Sequence, residues 1–169
     1  MNDIPSSAEQ RQRFHALLKR FTTAMLVTHG KDGRLRARPM AIARIDSDGS
    51  VWFIASAEST KIHEIETDTQ VHIVCQDDRS AYISLSGRAQ LRDDVRLVTQ
   101  LWQEPFRVWF PGGPDDPAIA LILVQPEQGE YWDNTGFLKV KYLFAAAKAY
   151  ATGQTPEVTE GEQHDRVVW

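Results

Sequence analysis

Residues 35–61 read LRARPMAIARIDSDGSVWFIASAESTK, and this stretch decides the predicted fold. From Leu35 to Ile45 the side chains alternate between two sets, which is the period of a β-strand. Residues 46–49 have the composition of a tight turn, and the apolar run 51–55 follows as the returning strand. The pattern then changes to that of a short helix. We therefore predict a β-hairpin that leads directly into a helix near Ser59.

Pro39 lies within the first strand of this hairpin. Proline has no N–H group to donate to a sheet, so it is restricted to special positions in strands. Three interpretations stay open: a bulge, an edge, or a place where the backbone is kept free of partners.

The rest of the chain adds short strands and helices around the hairpin. Apolar residues at helical spacing predict a first helix over residues 8–20, and acidic residues begin another at Asp93. A Pro/Gly-rich loop covers residues 105–117, and a basic segment over residues 138–150 has a helical pattern. Further strands are predicted at residues 24–28, 70–76, 82–91, 119–124 and 129–132.

Six or seven short strands, linked by hairpins or single helices, predict a mainly β (α+β) antiparallel barrel with peripheral helices. A parallel doubly wound sheet is excluded because strands and helices do not alternate regularly. We expect one domain over residues 1–150 and a polar, partly mobile C-terminal tail over residues 151–169. The apolar end of this tail, residues 167–169, is able to dock on the domain.

The composition of the chain argues against several classes of function. The chain has 169 residues and a net charge of −4, which argues against a nucleic-acid partner because phosphate backbones attract basic surfaces. The single cysteine, Cys75, excludes an intrachain disulfide and lies in an apolar run that predicts burial. We find no apolar signal region and no stretch near the ~20 apolar residues of a membrane span. We expect a cytoplasmic protein without a nucleic-acid or membrane partner.

The hairpin geometry brings basic side chains to the start of the predicted helix. A four-residue turn pairs Pro39 with Ser56 and carries Arg36 and Arg38 towards Ser59. A helix N-terminus offers free N–H groups and a partial positive charge.

Donors of several kinds are thus expected around one point. Hydroxyl groups come from Ser56, Ser59 and Thr60, an ammonium group from Lys61, and a planar guanidinium group from Arg38. This set predicts a pocket for one dianion, such as a phosphate group. The alternative is that the serines only cap the helix and that Lys61 is a solvated side chain.

Three segments, in this order, resemble the pyridoxamine 5′-phosphate oxidase-like split barrels. The first is residues 35–40, which end in Arg38-Pro39-Met40, and the second is residues 51–61. The third, residues 109–117 followed by 121–124 and 130–132, is similar to the general stress protein branch of that superfamily. The resemblance covers residues 14–153.

The resemblance implies a six-stranded split β-barrel of the FMN-binding type, forming a homodimer with two FMN sites at the subunit interface. In such a site three residues line the isoalloxazine ring, two flank the ring and the ribityl chain, and three hold the phosphate. By the resemblance, the residues that line the ring are Arg38, Pro39 and Met40. Those that flank the ring and the ribityl chain are Ala55 and Ser56, and those that hold the phosphate are Ser59, Thr60 and Lys61. Trp109 and Phe110 approach the flavin from the other subunit, unless they are ordinary core or interface aromatics.

Two departures from the family pattern bear on function. The oxidases that name the family carry an arginine immediately before the lysine, where this chain has Thr60, so the phosphate site has lost one charge. Their C-terminal arginine–histidine pair, which binds pyridoxal phosphate, is only faintly matched by His164 and Arg166. The second departure argues against a true pyridoxamine phosphate oxidase.

The resemblance therefore favours a general stress-type protein that binds FMN, with FAD left open. One alternative is an FMN-dependent oxidoreductase or flavin reductase that uses a nicotinamide donor, and another is a split barrel for a deazaflavin or haem. No side chain stands out as a catalytic acid or base, and no histidine–cysteine spacing indicates a metal site. His63 and Glu64 are assigned to a solvated helix face.

Overall fold

A computed structural model describes residues 7–78, 81–133 and 164–169 of the chain. The described elements follow the predicted order, with two short 3₁₀ turns, Glu104–Val108 and Gly113–Asp115, in the Pro/Gly loop. The helices are α1 (Ser7–Leu18), α2 (Thr60–Thr67) and α3 (Val95–Leu101). The strands are β1 (Thr23–His29), β2 (Leu35–Ile45), β3 (Val51–Ser56), β4 (Gln70–Gln76), β5 (Ala81–Arg92), β6 (Ile119–Asp133) and β7 (His164–Val168).

Strands β1 to β6 form a closed antiparallel barrel. The sheet order is β3-β2-β1-β4-β5-β6-β7, and an additional pairing of β3 with β6 closes the ring. The first part of β6 pairs with β3, while its later part, from Gln128 to Trp132, pairs with β7. The six-stranded antiparallel barrel expected from the sequence is therefore confirmed, with β7 as an extra strand on its side.

The barrel interior is filled by alternate residues of the strands. On β4, Val71, Ile73 and Cys75 point inward and are buried, as the period of two requires. Burial raises the pKa of the Cys75 thiol to about 12, so it is a small core residue rather than a reactive thiol.

Helix α1 covers part of the barrel by packing Phe14 and Leu18 into this core. Phe14 lies directly over Gly129 of β6, where a Cβ atom would come within 2.5 Å of the phenyl ring. The absence of a side chain at Gly129 therefore lets the helix approach the strand closely.

A second apolar cluster packs outside the barrel, between β3, β6, α3 and the 3₁₀ turns. Its buried members include Trp52, Leu101, Phe106 and Leu121. Residues 51–55 of β3 are all buried, because one face of the strand lines the barrel interior and the other face contacts this outer cluster.

The β2–β3 hairpin keeps the predicted register only near its turn. Ile45 pairs with Val51, and Ile42 pairs with Phe53 after an irregularity in β2. The predicted pairing of Pro39 with Ser56 is wrong, because β2 before Ile42 pairs only with β1, and the end of β3 pairs only with β6. The two strands separate, and the barrel is split between them.

Two further expectations for the C-terminal half can be compared with the structure, and a third falls on residues that it does not describe. The two strands predicted at 119–124 and 129–132 are one continuous strand, β6. The end of the predicted tail is β7, with Val167 buried against the barrel, so residues 164–168 belong to the sheet. The helix predicted at residues 138–150 lies outside the described residues. No helix in the described ranges is long and apolar enough to span a bilayer.

Candidate functional site

Helix α2 begins at the split between β2 and β3 without a side-chain cap. Ser59 occupies the N-cap position, but its hydroxyl donates to the carbonyl oxygen of Ser56 at 2.6 Å. By contrast, the Asp94 carboxylate at the start of α3 accepts hydrogen bonds from the N–H groups of Arg96 and Leu97. Ile62 donates its N–H group to the carbonyl oxygen of Ser59 at 2.9 Å, so the N–H groups of Thr60 and Lys61 are those left for another acceptor.

Lys61 stands in the first turn of α2 and is half-buried. Burial and the neighbouring positive charge of Arg38 lower the pKa of Lys61, and the negative charge of Glu64 opposes them only partly. Two cations therefore lie close together here, and an additional anion would relieve their repulsion.

Arg38 is held by a closed set of hydrogen bonds below α2. Its guanidinium group donates to Thr28 Oγ1 at 2.5 Å and to Glu64 Oε2 at 2.8 Å, while the Thr28 hydroxyl donates to the same carboxylate at 2.5 Å. Arg36 donates to Glu64 Oε1 at 3.1 Å and to Asp32 Oδ2 at 3.1 Å. Both arginines expected from the hairpin thus reach α2, but through Glu64 rather than through strand pairing with Ser59.

Glu64 is the residue that sequence reasoning missed. Its side chain is only 3% exposed, so its assignment to a solvated face is wrong. Burial alone raises the pKa of its carboxyl group, but hydrogen bonds from Thr28 and Arg38 and the two guanidinium charges outweigh burial and lower the pKa overall. A usable signal was present, because Glu64 lies three residues after Lys61, and side chains three residues apart share one face of a helix.

The backbone of β2 presents an open edge towards the split. Ile42 donates its N–H group to the carbonyl oxygen of Thr22, so even-numbered residues direct their polar groups towards β1. Odd-numbered residues, including Ala37, Pro39 and Ala41, direct theirs to the opposite side, where β3 has departed. Pro39 therefore lies at an open edge of β2, where its missing N–H group costs no strand pairing. Of the three interpretations, the structure supports the edge.

The residues expected around a flavin ring separate onto two sides of β2. Pro39 is exposed on the outer face of the barrel, in one cross-strand row with Met25, Val74 and Ser84. Arg38 is half-buried and Met40 is buried on the inner face, so Met40 presents only backbone to the outside.

The β3 candidates lie across the split. Ala55 is buried, and Ser56 is half-buried at the end of the strand. The nearby loop is tied down by a 2.8 Å hydrogen bond from the N–H of Ala57 to the carbonyl oxygen of Ala118. Ser56, Ser59, Thr60 and Lys61 thus remain together at the start of α2.

The structure separates the two aromatic candidates. Trp109 is 78% exposed at the tip of the Pro/Gly loop, whereas Phe110 is 6% exposed and packs in the outer apolar cluster of its own chain. Only Trp109 is available to contact a neighbouring molecule with its ring.

The C-terminal pair lies on β7, against the later part of β6. Arg166 forms a 2.6 Å ion pair with Glu130, and the His164 ring stacks on Trp132 with the ring centroids 4.7 Å apart. Both side chains thus contact β6 of the same chain. In the described part of the chain, no group of histidine, cysteine and carboxylate residues has the arrangement of a metal site.

Comparison with known proteins identifies the family of this chain. The sequence pattern described as pyridoxamine 5′-phosphate oxidase like matches residues 9–157, most of the chain. The chain belongs to this family. The matched region contains the open edge of β2, the start of α2 and the exposed Trp109.

Relatives within the pyridoxamine 5′-phosphate oxidase-like family include general stress proteins. General stress protein 26 of Bacillus subtilis (strain 168) is 29% identical over 82 residues, which are 46% of this chain and 58% of that protein. The chain thus matches somewhat more than half the length of this curated relative.

Two solved structures show the same fold. The general stress FMN/FAD binding protein of Xanthomonas citri has a TM-score of 0.65 at 28% identity, over 76% of this chain and 92% of that one. A pyridoxamine 5′-phosphate oxidase-related, FMN binding protein of Nostoc punctiforme PCC 73102 has a TM-score of 0.60 at 16% identity, over 81% and 87% of the two chains.

Proposed function

We propose that this protein is a general stress-type flavin-binding protein whose phosphate anchor is the start of α2. The observation that carries the proposal is the uncapped first turn beside Lys61, with Arg38 close enough to lower the pKa of Lys61. A phosphate dianion accepts hydrogen bonds from several donors at once and is stabilised by the helix end.

The surroundings fit the remainder of an FMN molecule. The open edge of β2 provides free carbonyl and N–H groups for the polar rim of an isoalloxazine ring, and Pro39 and Met25 provide an exposed apolar surface beside it. Ser56 ends β3 and accepts the hydrogen bond from Ser59 at the start of α2, so we assign the ribityl chain to its neighbourhood. A bound flavin would supply electron-transfer chemistry, and the protein would position it.

We further propose that the protein is a homodimer with the flavin at the subunit interface. The outer face of β1, β2 and β4 exposes apolar side chains where a soluble protein normally carries charges, including Met25 and Val74, each 38% exposed. The exposed Trp109 supports a second contact from a partner subunit. A second copy would cover this face and enclose the ring.

Titration of apoprotein with FMN and with riboflavin tests the phosphate anchor, because the two ligands differ only in the phosphate. We expect Lys61→Ala to weaken FMN binding by about tenfold or more, the cost of one charge-assisted contact, and to leave riboflavin binding unchanged. Isothermal titration calorimetry measures both affinities.

Lys19→Ala is the matched control, because Lys19 is also a lysine but lies exposed just after α1. It should leave both affinities unchanged. Equal weakening of FMN and riboflavin by Lys61→Ala would show that Lys61 does not contact the phosphate. Absence of binding of any flavin by the wild-type protein would refute the proposed function itself.

A further inference from the structure

A surface cleft adjoins the proposed phosphate anchor between the β1–β2 turn and α2. It has a volume of about 310 Å³ and is lined by Lys31, Asp32, Arg36, Thr60, His63 and Glu64. All of these except Glu64 are exposed, so the cleft opens to solvent. Its size falls near the lower end of the ~300–1,000 Å³ range of small-molecule sites.

Thr60 connects the cleft to the anchor, because it lies in the first turn of α2 and lines the cleft as well. A ligand whose phosphate is held at the start of α2 can therefore extend beyond the phosphate into the cleft. FMN ends at its phosphate and has nothing to place there. FAD continues through a second phosphate into adenosine.

The charges of the cleft suit a single additional phosphate. Arg36 is already paired with Asp32 and with Glu64. Lys31 has no carboxylate partner among the residues that the structure describes, and it is exposed in the β1–β2 turn. Each phosphate of a dinucleotide carries one negative charge at neutral pH, which one ammonium group balances.

The other lining groups suit a nucleoside. The His63 ring has a side chain that is 56% exposed and presents a flat surface on which a purine can stack. Asp32 offers a carboxylate that accepts hydrogen bonds from ribose hydroxyl groups, as acidic residues do in dinucleotide sites. Lys31, Asp32 and His63 thus offer one group for each part of an adenylate.

From these groups, we propose that the cleft between the β1–β2 turn and α2 is the site for the adenylate half of FAD. Lys31 binds the second phosphate, Asp32 the ribose and His63 the adenine. This inference rests on the proposed function, since it requires the flavin phosphate at the start of α2.

Calorimetric titration of apoprotein with FMN and FAD tests the assignment. Lys31→Ala should weaken FAD binding roughly threefold to fivefold, the size of one exposed ion pair, and leave FMN binding unchanged. Lys31→Glu should weaken FAD further, because it replaces attraction by repulsion. His63→Ala should also weaken FAD alone, and Lys19→Ala is the control for removal of an exposed lysine.

The outcomes separate this inference from the proposed function. Wild-type protein that binds FMN but not FAD would overturn the adenylate site and leave the phosphate anchor intact. FAD affinity unchanged by Lys31→Glu, or FMN and FAD weakened equally, would also overturn it. Failure to bind either flavin would remove both proposals.

Discussion

The buried carboxylate of Glu64 organises the basic side chains around α2. A buried charge is costly unless it is paired and hydrogen-bonded, and Glu64 receives donors from Thr28, Arg36 and Arg38. In return it fixes the guanidinium group of Arg38 beside Lys61. Removing the carboxylate would leave Arg36 with Asp32 and Arg38 with Thr28 as acceptors, and would loosen the position of Arg38 beside Lys61.

Glu64→Gln should therefore destabilise the protein by about 1–3 kcal/mol at pH 7, the cost of a charged hydrogen-bond network losing its charge. Because the pKa of Glu64 is lowered by folding, its contribution is complete above the ordinary carboxyl pKa and is lost as pH falls through the lowered value. The stability difference between wild type and variant should accordingly shrink in acid. Urea denaturation at pH 7 and near pH 3 measures it.

Glu66→Gln provides the matched control, since Glu66 lies on the same helix with a side chain that is 57% exposed. It should change stability little at either pH. A stability loss in Glu64→Gln that stays constant from neutral to acidic pH would contradict the assigned role of the charge.

The starts of α2 and α3 differ in whether a side chain of the chain itself caps the first turn. At α3 the Asp94 carboxylate caps the first turn, while at α2 the Ser59 hydroxyl turns back to Ser56. Stability alone favours a capped end by about 1 kcal/mol. Under the proposed function, the uncapped start of α2 exchanges this stability for a binding position.

Ser59→Asp should reverse this exchange. The aspartate can cap α2 and interact favourably with the helix dipole, so stability should rise by up to about 1 kcal/mol. The same carboxylate would occupy the proposed phosphate position, so FMN affinity should fall roughly tenfold while riboflavin affinity changes little. Denaturation and calorimetry provide the two measurements.

Ser59→Asn caps the helix without a charge, so it should weaken FMN less than Ser59→Asp does. If Ser59→Asp stabilises the protein and leaves FMN affinity intact, the phosphate is bound elsewhere. The opposite signs expected for stability and binding distinguish occupation of the site from general damage to the fold.

The barrel as a whole presents one apolar outer face. Val74 lies near its centre, between Met25 on β1 and Ser84 on β5. If a second copy covers this face, Val74→Glu should bury an unpaired charge at the interface, at a cost of several kcal/mol, and convert the dimer to a monomer. Sedimentation equilibrium measures the mass.

Val95→Glu is the control for adding a charge to an exposed valine, because Val95 lies on α3 and is 56% exposed. It should leave the mass unchanged. A wild-type protein that sediments as a monomer at all concentrations, or a Val74→Glu variant that remains dimeric, would contradict an interface on this face.

Local patterns in the chain were sufficient for most elements and for part of the site. Strand periodicity, the turn at residues 46–49 and the serines before α2 depend on neighbouring residues, so they can be read without a structure. The same reasoning placed Lys61 in the first turn of α2. It failed for Pro39, whose pairing depends on which strand β2 follows after leaving β3.

The sequence by itself determined the order of strands and helices, the burial of Cys75 and the grouping of Ser56, Ser59, Thr60 and Lys61, because all of these follow from spacing along the chain. Only the tertiary structure decided that β2 and β3 separate, that Glu64 is buried and that Phe110 turns into its own core. The physical reason is that strand exchange and burial are set by competition among distant segments for the same partners, and such competition leaves no mark in local periodicity.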